Sequence, residues 1–254
     1  MRRLIVILLT LAVAINGYCQ RAEIASMIKT KWGQGSPYNL QCPVKSGVHC
    51  QTGCVATAMA QIMYYYKCPA EGFDWNDMQL TYTGSETDGQ KQAVARLMHE
   101  CGVAVNMDYG ISTSAAWEGD AAVALVEKYG YDDGVREVYA FEYTAEEWEE
   151  LIYTELANGR PVMYGGIPSG FTHQFICDGY KDGKFHFVMS WNFKPDGYYT
   201  FEELGYFPDS QTAIIGIMPK VTSILSPLTS YYSPLKNKTI EVYRLANLSL
   251  YKVF

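Results

Sequence analysis

Histidine is scarce in this chain, basic charge is low, and cysteines in close pairs are missing. His49, His99, His173 and His186 are the only histidines in 254 residues, and they are scattered. No two cysteines stand in CxxC spacing, so neither a clustered metal site nor a cofactor is expected. Lysine and arginine number 20 against 27 acidic side chains, and no basic stripe is present. Nucleic acid and anionic membrane surfaces are therefore poor partners. Charged residues make up only 19% and hydrophobic ones 48%, enough to bury a full core in one compact domain of two layers or lobes, expected as a monomer.

The pronounced apolar run is N-terminal. Arg2 and Arg3 precede an apolar stretch too short to span a bilayer, followed by small residues at Gly17 and Cys19. Residues 1–19 read as a signal peptide cut before Gln20, which makes the protein exported, either secreted or periplasmic. Acylation of Cys19 competes with this reading, but Tyr18 is bulky where such signals require a small residue. Cleavage leaves 18 basic side chains and six cysteines in a compartment that permits disulfides, with their pairing open.

Residues 51–63, QTGCVATAMAQIM, carry the first chemical signal. Thr52 is expected to cap a helix, Gly53 to turn the chain and Cys54 to open the helix, with Ala56, Met59, Ala60 and Met63 on its packed face. A thiol among unpaired N–H groups at the positive end of a helix dipole is expected to ionise readily, as a nucleophile must. A buried structural cysteine is the competing reading. Upstream, KWGQGSPYNLQCP reads as an ordered loop in which Gln34, between two glycines, can offer its amide to an oxyanion.

WGQGSPYN followed by TGCVATAMAQIMYYYKCP resembles the streptopain family of papain-like cysteine peptidases. The resemblance implies that Cys54 is the nucleophile and Gln34 an oxyanion donor. The MDYG segment and the small residues after it imply that Ser112, Ser114 and Ala115 line the substrate cleft. HQFICDGY resembles the family segment that holds the catalytic histidine, which assigns His173 as the base, with His186 its credible rival. The chain departs from the family where members read close to HFNWGWGG. Here HFVMSWNF puts Val188 at the orienting asparagine and Met189 at the first tryptophan, and Thr172 replaces the usual glycine. Asn192 is expected to orient His173 instead, and Trp191 to shield it. Well-known members also carry a long prosegment, for which no room is expected here.

Helices are expected at 88–101, 118–129 and 145–158, the last with a solvated acidic face. From Arg160 onward, short aromatic and β-branched runs separated by Gly, Asp and Pro read as a meandering antiparallel sheet. In the strand that His173 begins, alternation places His173, Phe175 and Cys177 on one face and Gln174 and Ile176 on the other. The expected fold is α+β and papain-like, with a helical lobe carrying the nucleophile against a sheet lobe carrying the histidine. It spans residues 20–220, and residues 221–254 form a tail of unassigned role whose end could be a hairpin. The expected activity is that of a cysteine endopeptidase acting on proteins or peptides. A catalytically inactive relative that binds peptides in the same cleft, and a Cys–His acyltransferase or amidase, are the alternatives.

Overall fold

The computed structural model describes residues 21–166, 173–190, 195–205 and 210–220 in full, and the backbone of strands between 227 and 253. A two-residue hairpin, β1 (Val44–Lys45) and β2 (Val48–His49), precedes three helices: α1 (Cys54–Tyr66), α2 (Asp88–Ala104) and α3 (Glu118–Glu127). Strand β3 (Arg136–Tyr139) and helix α4 (Ala145–Ala157) follow, then β4 (Val162–Gly166), β5 (His173–Lys181), β6 (Lys184–Val188), β7 (Gly197–Tyr199) and β8 (Thr212–Ile215). These six strands form one antiparallel sheet in the order β3-β8-β4-β5-β6-β7. The α+β arrangement expected from the sequence is the one found.

Each face of the sheet closes a separate core. Met163, Ile176, Val188 and Ile214 pack with the inner faces of α1, α2 and α3, including Met59, Ile62, Met63, Leu97 and Met98. Tyr164, Phe175, Cys177, Phe187 and Met189 pack on the other side with Trp148, Ile152 and Leu156 of α4. β5 is thus buried on both faces, and each fully buried large side chain contributes about 1.5–3 kcal/mol. The start of β5 is anchored where the helical and sheet layers meet. α2 and α4 both begin with a capping box, from Thr87 with Gln90 and from Thr144 with Glu147.

The segment before the first loop runs extended, with Ile24 bridging Tyr180 and the Ile28 N–H donating to Asp178 at 2.7 Å. C-terminally, β9 (Pro227–Ser233), β10 (Lys238–Leu245) and β11 (Leu248–Val253) pair antiparallel in the order β11-β10-β9. The expected terminal hairpin is the β10–β11 pair. No helix among the described residues is long and apolar enough to cross a membrane. Those residues also hold no cluster of metal-ligating side chains, and their six cysteines are free thiols.

Candidate active site

Gly53 precedes α1 with φ 86° and ψ 145°, a conformation that L side chains rarely adopt. A Cβ there would lie 2.6 Å from the thioether of Met107 and 3.3 Å from the Ser114 carbonyl oxygen. Thr52 does not cap the helix as the sequence suggests. Its hydroxyl is 2.8 Å from that of Thr57, which donates in turn to the Gly53 carbonyl. The first turn therefore keeps uncapped N–H groups, and those of Cys54 and Val55 reach the Cys54 thiol. A third donor comes from the sheet lobe, the backbone N–H of Gln174.

Burial outweighs these donors. Enclosure by protein pushes the Cys54 thiol up, and the nearby Glu118 carboxylate adds to the effect. The expectation of a thiolate made ready by the helix start is corrected on this point. Removing a charged sulfur from water costs more here than three N–H groups return.

His173, at the start of β5, directly precedes the residue that donates to the thiol. Its Nε2 lies 3.0 Å from the Met189 carbonyl oxygen. A carbonyl can only accept, so Nε2 carries the proton of the neutral ring. The ring stacks on Phe175 at 5.6 Å, on the face that alternation assigns to it. Burial lowers the basicity of His173, and the Met189 carbonyl opposes that in part. Met189 is held by Asp196, whose Oδ1 accepts its N–H at 2.8 Å, while Oδ2 takes Lys31 Nζ at 2.7 Å.

Lys31 leads into the loop of Gln34. The Gln34 backbone carbonyl accepts the Thr52 N–H at 3.0 Å, which pins this loop beside the turn that leads into Cys54. Gln34 is half-buried, and with Trp32, Gln51, Val188, Ser190 and Asp196 it lines a cleft of about 740 Å³. Gln61 on α1 holds one of these lining residues, donating to Ser190 at 2.6 Å and accepting from Thr30 at 2.8 Å.

A thiol at a helix start, a histidine at the adjoining strand end and a glutamine on a loop tied to both belong to an architecture seen elsewhere. The model of the peptidase C10 family matches residues 32–73 and 70–199. Streptopain of Streptococcus pyogenes is 31% identical over 251 residues, covering 77% of this chain and 63% of that protein. The chain belongs to the peptidase C10 family. The thiol protease/hemagglutinin PrtT of Porphyromonas gingivalis is 30% identical over 74% of this chain, but only 26% of that protein is covered. Active interpain A, a cysteine protease of Prevotella intermedia, superposes with a TM-score of 0.68 at 31% identity, covering 76% of this chain and 94% of that one. A prointerpain A fragment gives 0.69 at the same identity, with 78% and 73% covered. The fold is thus the papain-like one of this family.

Within this C10 site several expected residues take other positions. Trp191 and Asn192 lie outside the described residues. Val188 and Met189 bury their side chains in the two opposite cores. Met189 meets the histidine through its backbone carbonyl. The Ser114 hydroxyl donates to the Gln51 carbonyl at 2.7 Å and accepts the Gly110 N–H at 3.0 Å, so it braces the turn before Cys54. Ser112 is exposed, and Ala115 pairs with Asp108. His186 is bonded to the buried Asp178 at 2.6 Å and packs on Tyr198.

Four participants carry no sequence signal: the Met189 carbonyl, the Gln174 N–H, Asp196 and Glu118. The first two are backbone groups that any residue possesses, and Asp196 reads as part of a Pro-Asp-Gly turn. Glu118 opens α3 like any acidic first-turn residue, yet it is buried. Burial pushes its carboxyl up to about 7, Thr212 opposes the shift, and Glu137 adds to it.

Proposed function

We propose that the chain is an exported cysteine endopeptidase. Cys54 is its nucleophile, His173 its general base and acid, and the Gln34 amide with the Cys54 N–H its oxyanion hole. The observation that carries this reading is the reach of the sheet lobe to the thiol. The N–H of Gln174 meets Cys54, and the residue before it is a histidine whose Nε2 is already engaged by Met189. Proton exchange with sulfur then falls to Nδ1, and the Met189 carbonyl holds the ring in that tautomer and steadies the imidazolium formed during attack. Membership of the C10 family supports the same assignment.

A peptide in the cleft would present its scissile carbonyl between Sγ and the Gln34 loop. Attack forms the carbon–sulfur bond, His173 protonates the leaving amine, and water then releases the acyl group. Protein or peptide substrates follow from this chemistry. Residues 1–19 act as the export signal and residues 20–220 form the peptidase domain.

Cleavage of casein and of a short peptide by purified protein beginning at Gln20 tests the reading. Cys54→Ala and His173→Ala should each abolish turnover. Gln34→Ala should lower kcat by about 10²-fold with little change in KM, because an oxyanion donor acts mainly in the transition state. Wild type no faster than folded Cys54→Ala would show instead a relative that only binds peptides.

A further inference from the structure

Near the Cys54 thiol lies a buried polar cluster whose side chains have no role in the reaction proposed for this site. Glu118 is 8% exposed at the start of α3. The Thr212 hydroxyl of β8 donates to its Oε2. With its amide nitrogen turned to the carboxylate, Gln174 donates to Oε2 and Oε1 at 3.1 and 3.2 Å. Gly165 of β4 makes room for this grouping. A Cβ there would meet the Thr212 hydroxyl at 2.6 Å, Glu118 Oε2 at 2.7 Å and the Gln174 amide at 2.8 Å. Gln174 is therefore gripped at its side chain by Glu118 while its backbone N–H contacts the Cys54 sulfur.

We propose that Glu118 is a positioning residue for Cys54: it fixes Gln174, and with it the N–H on the thiol, and its negative charge sets how readily the sulfur ionises. The proposal rests on Cys54 being the nucleophile. The groups facing the carboxylate are Thr212 on β8, Gln174 on β5, Cys54 on α1, and Glu137 with Tyr139 on β3, where the Tyr139 hydroxyl donates to Glu137 at 2.7 Å. Charged Glu118 opposes a thiolate, and Glu137 acts on Glu118 by favouring its neutral form. Because burial brings the titration of Glu118 to about 7, its charge appears as pH rises through neutrality. A rise in pH then ionises Glu118 first and makes the thiol harder to ionise.

The test is the rate of Cys54 alkylation by iodoacetamide against pH, read at Cys54 by peptide mass mapping, with Cys54→Ala as control. Glu118→Gln keeps groups able to bond Thr212 and Gln174 but removes the charge. Its alkylation should be about threefold or more faster near pH 8, with the midpoint moved to lower pH by about half a unit. Thr212→Val removes a donor that favours the charged carboxylate, so it should lie between wild type and Glu118→Gln near pH 7.5. In the Glu118→Gln background the Thr212→Val change should have no further effect, whereas a merely structural role for Thr212 would persist there. A wild-type profile in folded Glu118→Gln, or a Thr212→Val effect that survives in the double variant, overturns the proposal. Should Glu118→Gln fail to fold, a Thr212→Val profile identical to wild type does the same. Absence of label on wild-type Cys54 would overturn the nucleophile assignment itself.

Discussion

Cys54 and His173 are both driven towards their neutral forms by burial, the thiol upward and the imidazole downward. In the proposed mechanism the reactive form is the pair holding one proton, shared between thiol and imidazole. With rising pH, kcat/KM should appear as the imidazolium loses its proton, below the ordinary value of 6.5, and fade as the thiol loses its own, above the ordinary value of 9.0. A broad bell with those two limbs is expected from initial rates on a peptide substrate, and an acid limb well above 6.5 would contradict it. Cys54, His173 and Gln34 are legible in the sequence because each is a reactive residue type set in a long motif. Sequence reading expects a depressed thiol from the helix start alone, since the opposing cost, enclosure of the sulfur, exists only in the folded chain. Gln174 and Met189 are illegible for a different reason, that they act through backbone groups common to all residues.

At the scale of elements, turns and loops set the geometry of the site. Gly53 delivers Cys54 to the helix start through a positive φ. Gly53→Ala should cost about 2 kcal/mol of stability from backbone strain and lower kcat as the thiol shifts, measured by thermal melting and turnover. Unchanged melting and rate would show that the turn tolerates a side chain. Asp196 ties the return from β6 to the Gln34 loop through the Met189 N–H and Lys31. That ion pair is partly exposed and worth only about 0–1 kcal/mol in stability, so its importance is positional. Asp196→Ala should reduce kcat by about tenfold or more with a smaller change in KM, and Asp196→Asn, which retains an acceptor for Met189, should recover much of the loss. Equal effects of the two variants would assign the role to the charge, and no effect of either would remove it. The helices and β4 to β7 follow closely from local periodicity. β3 and β8 do not, because each has four residues and their mutual pairing joins segments on either side of α4 and four other strands.

In the whole molecule, α1 connects the two parts of the proposed site. One end carries Cys54, its face fills the helical core, and its buried Gln61 reaches Ser190 beyond β6. The sheet buries both faces, so His173 stands on a strand with little freedom to move, and the cleft forms where loops from the two layers meet. A two-lobed α+β fold is readable from helices preceding strands, whereas the double burial of β5 and the three-stranded C-terminal sheet appear only in three dimensions. The measurement that bears most directly on Cys54 as the nucleophile of a peptidase is intact mass after treatment with a thiol-directed peptidyl epoxide. One equivalent on wild type and none on Cys54→Ala is expected, although five other described cysteines are free. Label that persists on Cys54→Ala would place the reactive thiol elsewhere and contradict the assignment.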